Sequence, residues 1–300
     1  MRQQIGFLPA LALIVCFPCV APAQGQKLFG YAGVSSQDFD QMESAGILTN
    51  TGTLELSDTA RVPDWNGQQL KKRPILLVDF LFFRFDANLD TPCRPYSLRL
   101  RRDWRQRADR WFAANQQYLT SDQVAGIVPA SEANNGCLDP DDLQLVAQYI
   151  VGQVPGDVLI GMGEGSSEGA KPLLPWIPWE IDFVALFDYV ALDPEDLGLQ
   201  TSLDELKSQL QAHQSYFLVP KAFLFFWEMA GYPRWKLGNT VVAYARYCAA
   251  EPRCLGVLPF LYDTAEYSAV DGTGLLGTDQ MPQIWPRHAE ASRILLGPGQ

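Results

Sequence analysis

Short apolar segments alternate along this chain with longer amphipathic ones, and this alternation constrains the fold more than any other feature. Most of the apolar segments are near-continuous runs such as RPILLVDFLFF, which indicate β-strands buried on both faces. The predicted strands span residues 27–34, 47–56, 73–83, 124–130, 157–163, 188–193, 216–223 and 254–262. The predicted helices span residues 36–46, 103–118, 140–151, 202–213, 239–250 and 280–296. Strands and helices that alternate in this way indicate a parallel sheet covered on both faces.

Eight strands in one chain of 300 residues predict an α/β fold, a single-domain (β/α)8 TIM barrel over residues 24–300. A doubly wound open sheet is the main alternative, but no glycine-rich phosphate-binding turn follows the first strand. Within the helix at 202–213, Ser202 and Glu205 have the spacing of a capping box, which predicts the start of that helix. His213 continues the apolar stripe of the same helix and is expected to pack in the core.

Residues 1–23 have the pattern of a secretory signal peptide. Arg2 precedes the apolar run IGFLPALALIVCFPCV, and the small residues APA follow it as a cleavage site. The run is short for a membrane span and prolines interrupt it. We therefore expect cleavage, a secreted or periplasmic protein, and no transmembrane segment after cleavage. The formal net charge of −11 argues against nucleic acid as a partner.

Four cysteines remain after the expected cleavage, and an even number in an exported chain favours disulfides. Cys248 and Cys254 bracket a short loop after a predicted helix, so we expect them to pair locally, which leaves Cys93 to pair with Cys137. A metal site is the weaker interpretation, because no Cys-x-x-Cys pair remains and the whole sequence contains 2 histidines. We expect neither a metal nor an organic cofactor.

Carboxylates and aromatic residues recur near the C-terminal ends of the predicted strands, where barrel enzymes carry their active sites. The candidate catalytic carboxylates are Glu132, Glu164, Asp193 and Glu228. The candidate substrate-binding residues are Tyr31, Trp176, Trp179, Tyr189, Trp227, Tyr262 and Asp263. Aromatic faces stack on the C–H faces of sugars, and carboxylates accept bonds from sugar hydroxyls or transfer protons. This combination predicts a carbohydrate substrate or ligand.

The layout resembles the TIM-barrel glycoside hydrolase superfamily, in which a strand-four carboxylate, in PASE here, serves as general acid/base. The segments FDYVALDP, FLVPKAF and LGVLPFLYD are similar to strands six, seven and eight of secreted glycosidase-like barrels. The resemblance implies hydrolysis of glycosidic bonds in a poly- or oligosaccharide. Glu132 would donate the proton, and a second carboxylate, Asp193 first and then Glu228 or Glu164, would act as nucleophile or base.

The sequence departs from that family at two places. Ser131 stands before Glu132, where the common glycosidase pattern has Asn. The family has a nucleophilic Glu at the end of strand seven, whereas this chain has Lys221 within the strand and Glu228 only beyond it. A barrel that has lost its nucleophile and only binds glycan is therefore an alternative.

An esterase is the third hypothesis. The motif GSSEG matches the G-x-S-x-G pattern of α/β-hydrolases, which would make Ser167 the nucleophile and Asp193 or Asp263 with His288 its partners. That motif requires a helix directly after the serine. Three prolines between residues 172 and 178 prevent one, which disfavours the esterase.

Overall fold

The predicted TIM barrel is confirmed by the computed structural model, which describes residues 27–34, 38–56, 72–86, 97–166, 172–225, 228–262 and 275–297. Eight strands form one parallel sheet in which β2 to β8 pair in chain order and β8 pairs with β1. They are β1 Leu28–Phe29, β2 Thr51–Glu55, β3 Arg73–Leu77, β4 Gly126–Val128, β5 Leu159–Gly165, β6 Phe183–Asp188, β7 Ser215–Pro220 and β8 Cys254–Val257.

Backbone hydrogen bonds from the β1 segment, including Tyr31 just after the strand, to the β2 segment bring the two ends of the sheet together. The Asn50 N–H donates to the Phe29 carbonyl at 3.0 Å, and the Thr53 N–H donates to the Tyr31 carbonyl at 2.8 Å. Gly30 lies at this seam. A Cβ at position 30 would lie 1.9 Å from a backbone carbonyl oxygen of β2, so only glycine permits this approach.

Six helices of seven or more residues surround the barrel within the described part of the chain. They are α1 Asp38–Ser44, α2 Trp104–Asn115, α3 Pro140–Val151, α4 Leu197–Gln209, α5 Trp235–Ala250 and α6 Trp285–Leu296. None of the helices in the described ranges is both long and apolar enough to cross a bilayer. Between β5 and β6, residues 172–182 form no helix, and Leu173, Leu174, Ile177 and Ile181 bury their side chains instead.

The predicted third strand, at 73–83, ends early. Barrel pairing stops at Leu77, and residues Asp79–Phe82 form a single helical turn. Phe83–Asp86 then pairs antiparallel with Ser97–Leu100 as a separate ribbon above the barrel. The apolar run is continuous, but its second half is not part of the barrel wall, and the Phe82 ring is buried with its centroid 5.8 Å from that of Trp104 and 6.4 Å from that of Tyr149.

The predicted sixth strand, at 188–193, is displaced, because β6 is Phe183–Asp188. Asp188 ends the strand by accepting hydrogen bonds from the backbone N–H groups of Val190 and Ala191 at 2.9 and 2.7 Å. Asp193 consequently lies in a loop rather than at a strand end.

The start of α4 and the position of His213 also differ from the predictions. Asp196 is the N-cap and accepts from the Gly198 N–H at 3.0 Å, so the helix begins one turn before Ser202. The Ser202 hydroxyl instead donates back to the Gly198 carbonyl at 3.3 Å. The helix ends at Gln209, so His213 lies in the following loop, where its ring contacts that of Trp179 at a tilt of 51° with centroids 4.4 Å apart.

One predicted disulfide is confirmed. Cys248, near the end of α5, is bonded to Cys254, the first residue of β8, and both side chains are fully buried. Cys137 is also disulfide-bonded. Cys93 lies outside the described residues, so the pairing of Cys93 with Cys137 stays a prediction.

Candidate active site

A cavity of about 550 Å³ opens at the C-terminal end of the barrel strands. Its rim is formed by residues at or just after strand ends, where barrel enzymes bind their substrates. The rim residues are Glu55, Asp79, Phe85, Ser131, Glu132, Phe187, Tyr189 and Phe260. Of the residues predicted for the site, Glu132 and Tyr189 line this cavity.

Glu132 follows β4 in an unusual backbone conformation. Its φ of 50° lies in the left-handed region, which costs a residue other than glycine about 1 kcal/mol. The turn is held to β5, because the Ala133 N–H donates to the Gly163 carbonyl at 2.8 Å. The Asn135 side-chain amide donates to the Glu132 carboxylate at 3.2 Å. A strained residue held in place by its neighbours is common at functional sites.

Asp79 connects the end of β3 to the turn that carries Glu132. Its Oδ2 accepts a hydrogen bond from the Ser131 hydroxyl at 2.7 Å, and its Oδ1 accepts from the Phe80 N–H at 2.9 Å. Burial raises the pKa of the Asp79 carboxyl above its ordinary value, and these hydrogen bonds oppose the effect only partly. Asp79 therefore faces the cavity as a buried carboxyl that resists ionisation.

Asp79, Ser131 and Glu55 belong to the cavity but are missing from the predicted site residues. Glu55 is the exposed last residue of β2, a strand end like that of Glu132. Asp79 lies two residues after the end of β3, but an apolar run that continues to Phe83 conceals the end of that strand in the sequence. A search for the first carboxylate in or shortly after each predicted strand finds both.

Aromatic rings form the other side of the rim. Tyr189 follows β6, and the centroid of its ring lies 5.3 Å from that of Phe223 and 5.3 Å from that of Phe260. Phe85, in the ribbon after β3, is 55% exposed although it lines the cavity. An exposed aromatic ring beside carboxylates is suited to the C–H face of a sugar.

Glu228 is not among the residues that line the cavity, and it forms an ion pair with Lys221. Lys221 Nζ lies 2.6 and 2.7 Å from the two Glu228 carboxylate oxygens, and the Phe225 N–H donates to the same carboxylate at 2.9 Å. The Lys221 ammonium also lies 5.0–5.4 Å from the ring centroids of Phe223, Phe225 and Tyr232. The Glu228 charge is thus balanced by Lys221.

Glu164 and Asp193 are not brought to the cavity. Glu164 lies within β5 next to Gly163, which lines the cavity, so strand alternation directs Glu164 outward toward the helices. Its side chain is buried, and desolvation raises the pKa of its carboxyl from 4.5 to about 8. Asp193 accepts from the Glu195 N–H at 2.9 Å within the loop after β6.

Two predicted tyrosines are buried outside the barrel wall. The Tyr31 hydroxyl hydrogen-bonds His288 Nδ1, and its ring stacks on the His288 ring. The Tyr262 hydroxyl donates to the Gln41 side chain at 3.1 Å. Burial lowers the pKa of His288 to about 3. His288 is therefore a neutral core residue, fully buried and engaged by Tyr31.

The described tryptophans lie away from the cavity lining as well. Trp176 is 36% exposed and Trp179 is 64% exposed. Trp179 shortly precedes β6, and the His213 ring N–H donates to its carbonyl at 2.9 Å just before β7 begins. Trp179 thus lies at the N-terminal end of the strands, opposite the cavity mouth. The remaining predicted positions lie outside the described residues, and they are Ser167, Trp227 and Asp263.

The described ranges contain no group of three or more His, Cys, Asp or Glu side chains arranged to hold a metal ion. The side chains that line the cavity offer carboxylate and hydroxyl oxygens. At Asp79 these oxygens are hydrogen-bonded to the Ser131 hydroxyl and to the Phe80 N–H. Their chemistry is suited to hydroxyl-rich ligands and to proton transfer.

A scan against protein-family models finds no match, and a search of curated protein sequences finds none either. Solved structures do match. A glucosidase from Croceicoccus marinus superposes with a TM-score of 0.58, at 12% identity, over 89% of this chain and 67% of its own. The chain has the fold of the TIM-barrel glycoside hydrolases. A GH113 β-mannanase from Alicyclobacillus acidocaldarius gives a TM-score of 0.51, at 10% identity, over 90% of this chain and 98% of its own.

A GH128 endo-β-1,3-glucanase from Amycolatopsis mediterranei, crystallised with laminarihexaose, gives a TM-score of 0.50 at 14% identity. The match covers 90% of this chain and 100% of the glucanase chain. The predicted resemblance to TIM-barrel glycoside hydrolases is thus confirmed at the level of the fold. At sequence identities of 10–14%, the fold is what this chain shares with these three enzymes.

Proposed function

We propose that this chain acts on carbohydrate in the cavity at the barrel mouth, and that it hydrolyses a glycosidic bond with Glu132 as general acid. The observation that carries the proposal is the position of Glu132. It follows β4 in a strained turn, its carboxylate is oriented by Asn135, and an aromatic rim faces it across the cavity. The structures with the same fold are named as a glucosidase, a mannanase and a glucanase, which supports carbohydrate as the substrate class.

The second carboxylate is best sought among those that line the cavity. Glu55 and Asp79 do so, whereas Asp193 caps a loop and Glu228 is paired with Lys221. Burial raises the pKa of Asp79, so a smaller fraction of this carboxyl is ionised and available as nucleophile or base at a given pH. We therefore assign the role of base or nucleophile to Glu55, and to Asp79 the role of holding Ser131 and the Glu132 turn. In the reaction Glu132 protonates the leaving oxygen while Glu55 activates water or attacks the anomeric carbon.

One observation favours a second candidate function, a glycan-binding barrel without turnover. Lys221 stands at the end of β7, where the resembled hydrolases carry their nucleophile, and Glu228 is held in its ion pair. A protein of this kind would use the same cavity and the same aromatic rim but release no product.

The two functions are separated by assaying wild-type protein on mannan, β-1,3-glucan and other polysaccharides for release of reducing ends and for retention on the polymer. Glu132→Gln should abolish release and preserve retention, because an amide keeps the shape but cannot donate the catalytic proton. Asp193→Asn, outside the cavity, is the matched control and should retain full activity. Retention without release by the wild type would establish the binding function, and release by Glu132→Gln at the wild-type rate would refute the role of Glu132.

A further inference from the structure

β5 extends beyond its neighbour β4 at the cavity end of the barrel. β4 ends at Val128, whereas β5 continues to Gly165. The backbone groups of β5 beyond the end of β4 therefore need other hydrogen-bond partners on that side. The turn that carries Glu132 supplies them, beginning with the Ala130 carbonyl, which accepts from the Gly163 N–H at 2.8 Å.

Asn134 makes the outermost of these contacts, and it does so with its side chain. Its Oδ1 accepts from the Gly165 N–H at 2.8 Å, and its Nδ2 donates to the Gly165 carbonyl at 2.9 Å. A side-chain amide is suited to this pairing, because it presents an acceptor and a donor side by side. Asn134 is 3% exposed, so this pair of hydrogen bonds, the Asn134 clasp, is shielded from water.

The clasp lies at the centre of the turn that fixes the backbone of Glu132. The Gly136 N–H donates to the Glu132 carbonyl at 3.0 Å and closes the turn, with Asn134 midway between these two residues. The backbone of Ala133 and the side chain of Asn134 are both hydrogen-bonded to β5. The left-handed conformation of Glu132, with its φ of 50°, is thus maintained by the two residues that follow it.

Two glycines of β5 let the turn lie directly on the strand. A Cβ at Gly163 would lie 3.0 Å from the Glu132 backbone nitrogen, and one at Gly165 would lie 2.7 Å from the Asn135 side-chain amide. That amide donates to the Glu132 carboxylate. The contact between the turn and β5 therefore extends to the group that orients the carboxylate.

We propose that Asn134 is a positioning residue for Glu132, and that its clasp to Gly165 holds the turn in the conformation that brings the Glu132 carboxylate to the cavity. Asn134 is not among the residues that line the cavity, so it acts through Glu132. Asp79 holds the same turn from the β3 side through Ser131, and Asn134 holds it from the β5 side. The catalytic consequence rests on the proposed function, whereas the conformational one rests on the hydrogen bonds alone.

Asn50 provides a matched control at the opposite end of the barrel. Its Oδ1 accepts from the Phe29 N–H at 2.9 Å, and its Nδ2 donates to the Lys27 carbonyl at 3.0 Å. Asn50 directly precedes β2, so it lies at the N-terminal end of the strands, away from the cavity mouth. Asn50→Ala removes the same two kinds of hydrogen bond from the barrel without touching the Glu132 turn.

Steady-state kinetics of wild type, Asn134→Ala and Asn50→Ala on mannan and β-1,3-glucan separate positioning from general stability. Asn134→Ala should lower kcat at least about tenfold and change KM less than about twofold, because a displaced acid slows proton transfer while the other cavity residues still bind. Asn50→Ala should keep the wild-type kcat, and thermal unfolding shows whether each variant is folded. An unchanged kcat in folded Asn134→Ala, or an equal loss in folded Asn50→Ala, would refute the positioning role.

If Asn134→Ala does not fold, Asn134→Gln takes its place. The glutamine amide can form both bonds but lengthens the link to β5 by one methylene, so it should show the same fall in kcat with little change in KM. A wild-type kcat in Asn134→Gln would count against the inference.

Crystal structures of wild type and the Asn134 variant test the conformational claim without any activity. The wild type should show the clasp and a positive φ at Glu132, and the variant should show the Glu132 carboxylate displaced from the cavity. A wild-type structure without the clasp, or a variant whose turn is unchanged, would refute the inference.

The two proposals fail separately. If these structures behave as expected but the wild type neither cleaves nor binds any polysaccharide, the positioning of the turn stands and the carbohydrate function is refuted. If the wild type is active and Glu132→Gln is not, while the folded Asn134 variant keeps the wild-type kcat, the proposed function stands and the positioning role is refuted.

Discussion

Replacing Glu164 with Gln should stabilise the folded protein, and the gain should grow as the pH rises from about 4.5 to about 8. The Glu164 side chain is buried beneath the helices, and its Oε2 has no hydrogen-bond partner among the described residues. Its Oε1 accepts one long hydrogen bond from the Leu174 N–H at 3.4 Å. Ionising this carboxyl in the fold therefore removes a charge from water with little compensation.

The size of the effect follows from the two pKa values. The carboxyl ionises near pH 4.5 in the unfolded chain, but burial raises its pKa to about 8 in the fold. Between these values the unfolded state has lost a proton that the folded state keeps, so folding stability falls as the pH rises. At about 1.36 kcal/mol for each pH unit, the loss for Glu164 reaches up to about 5 kcal/mol near pH 8. A glutamine does not ionise and is spared this loss.

Denaturant unfolding of wild type and Glu164→Gln at pH 5, 6, 7 and 8 measures the difference. It should be small at pH 5 and amount to several kcal/mol at pH 8. Glu195→Gln, at an exposed glutamate in the loop after β6, is the control and should show no such trend. A Glu164→Gln difference that stays constant across this range would refute the assignment of Glu164 as a neutral, buried carboxyl.

Two further predictions concern the framework. Replacing both Cys248 and Cys254 with Ala should cost about 2 kcal/mol of the free energy of unfolding, measured with denaturant, because the crosslink closes a loop with a sequence separation of only 6; an unchanged value would contradict a formed bond. Lys221→Met should cost about 3 kcal/mol, because it leaves the mostly buried Glu228 carboxylate without its partner. Adding Glu228→Gln should recover part of that loss in the same experiment, and a fully additive double variant would show that the two residues do not interact.

The sequence predicts the barrel well where local signals are strong. The helix predicted at 140–151 is found as α3, because Asp139 and Pro140 mark its start and a regular apolar stripe marks its length. The sixth strand is predicted at 188–193 instead of 183–188, because the chain is apolar both before and after Asp188. Its true register comes from pairing with β5, where Gly161 lies opposite Phe183, and no local pattern encodes that partner.

The site, too, is predictable from the sequence only where a local signal marks the residue. Glu132 follows a strand that ends in a recognisable turn, so its position at the cavity could be read from the sequence. Glu164 could not be oriented, because glycines at alternate positions of β5 remove the apolar pattern that separates the two faces of a strand. Gly163 and Ala185 both line the cavity, and only the register of β5 with β6, in which the two residues lie opposite each other, brings them to one wall.

A crystal structure of Glu132→Gln with the best-bound glycan or glycoside tests most directly whether the barrel mouth is a carbohydrate site. The sugar should lie at the rim, within hydrogen-bond distance of the side chain at position 132 and of Glu55, with Tyr189 or Phe85 against its C–H face. A sugar bound instead at exposed Trp179, at the opposite end of the strands, with the cavity free of it, would contradict the proposed site.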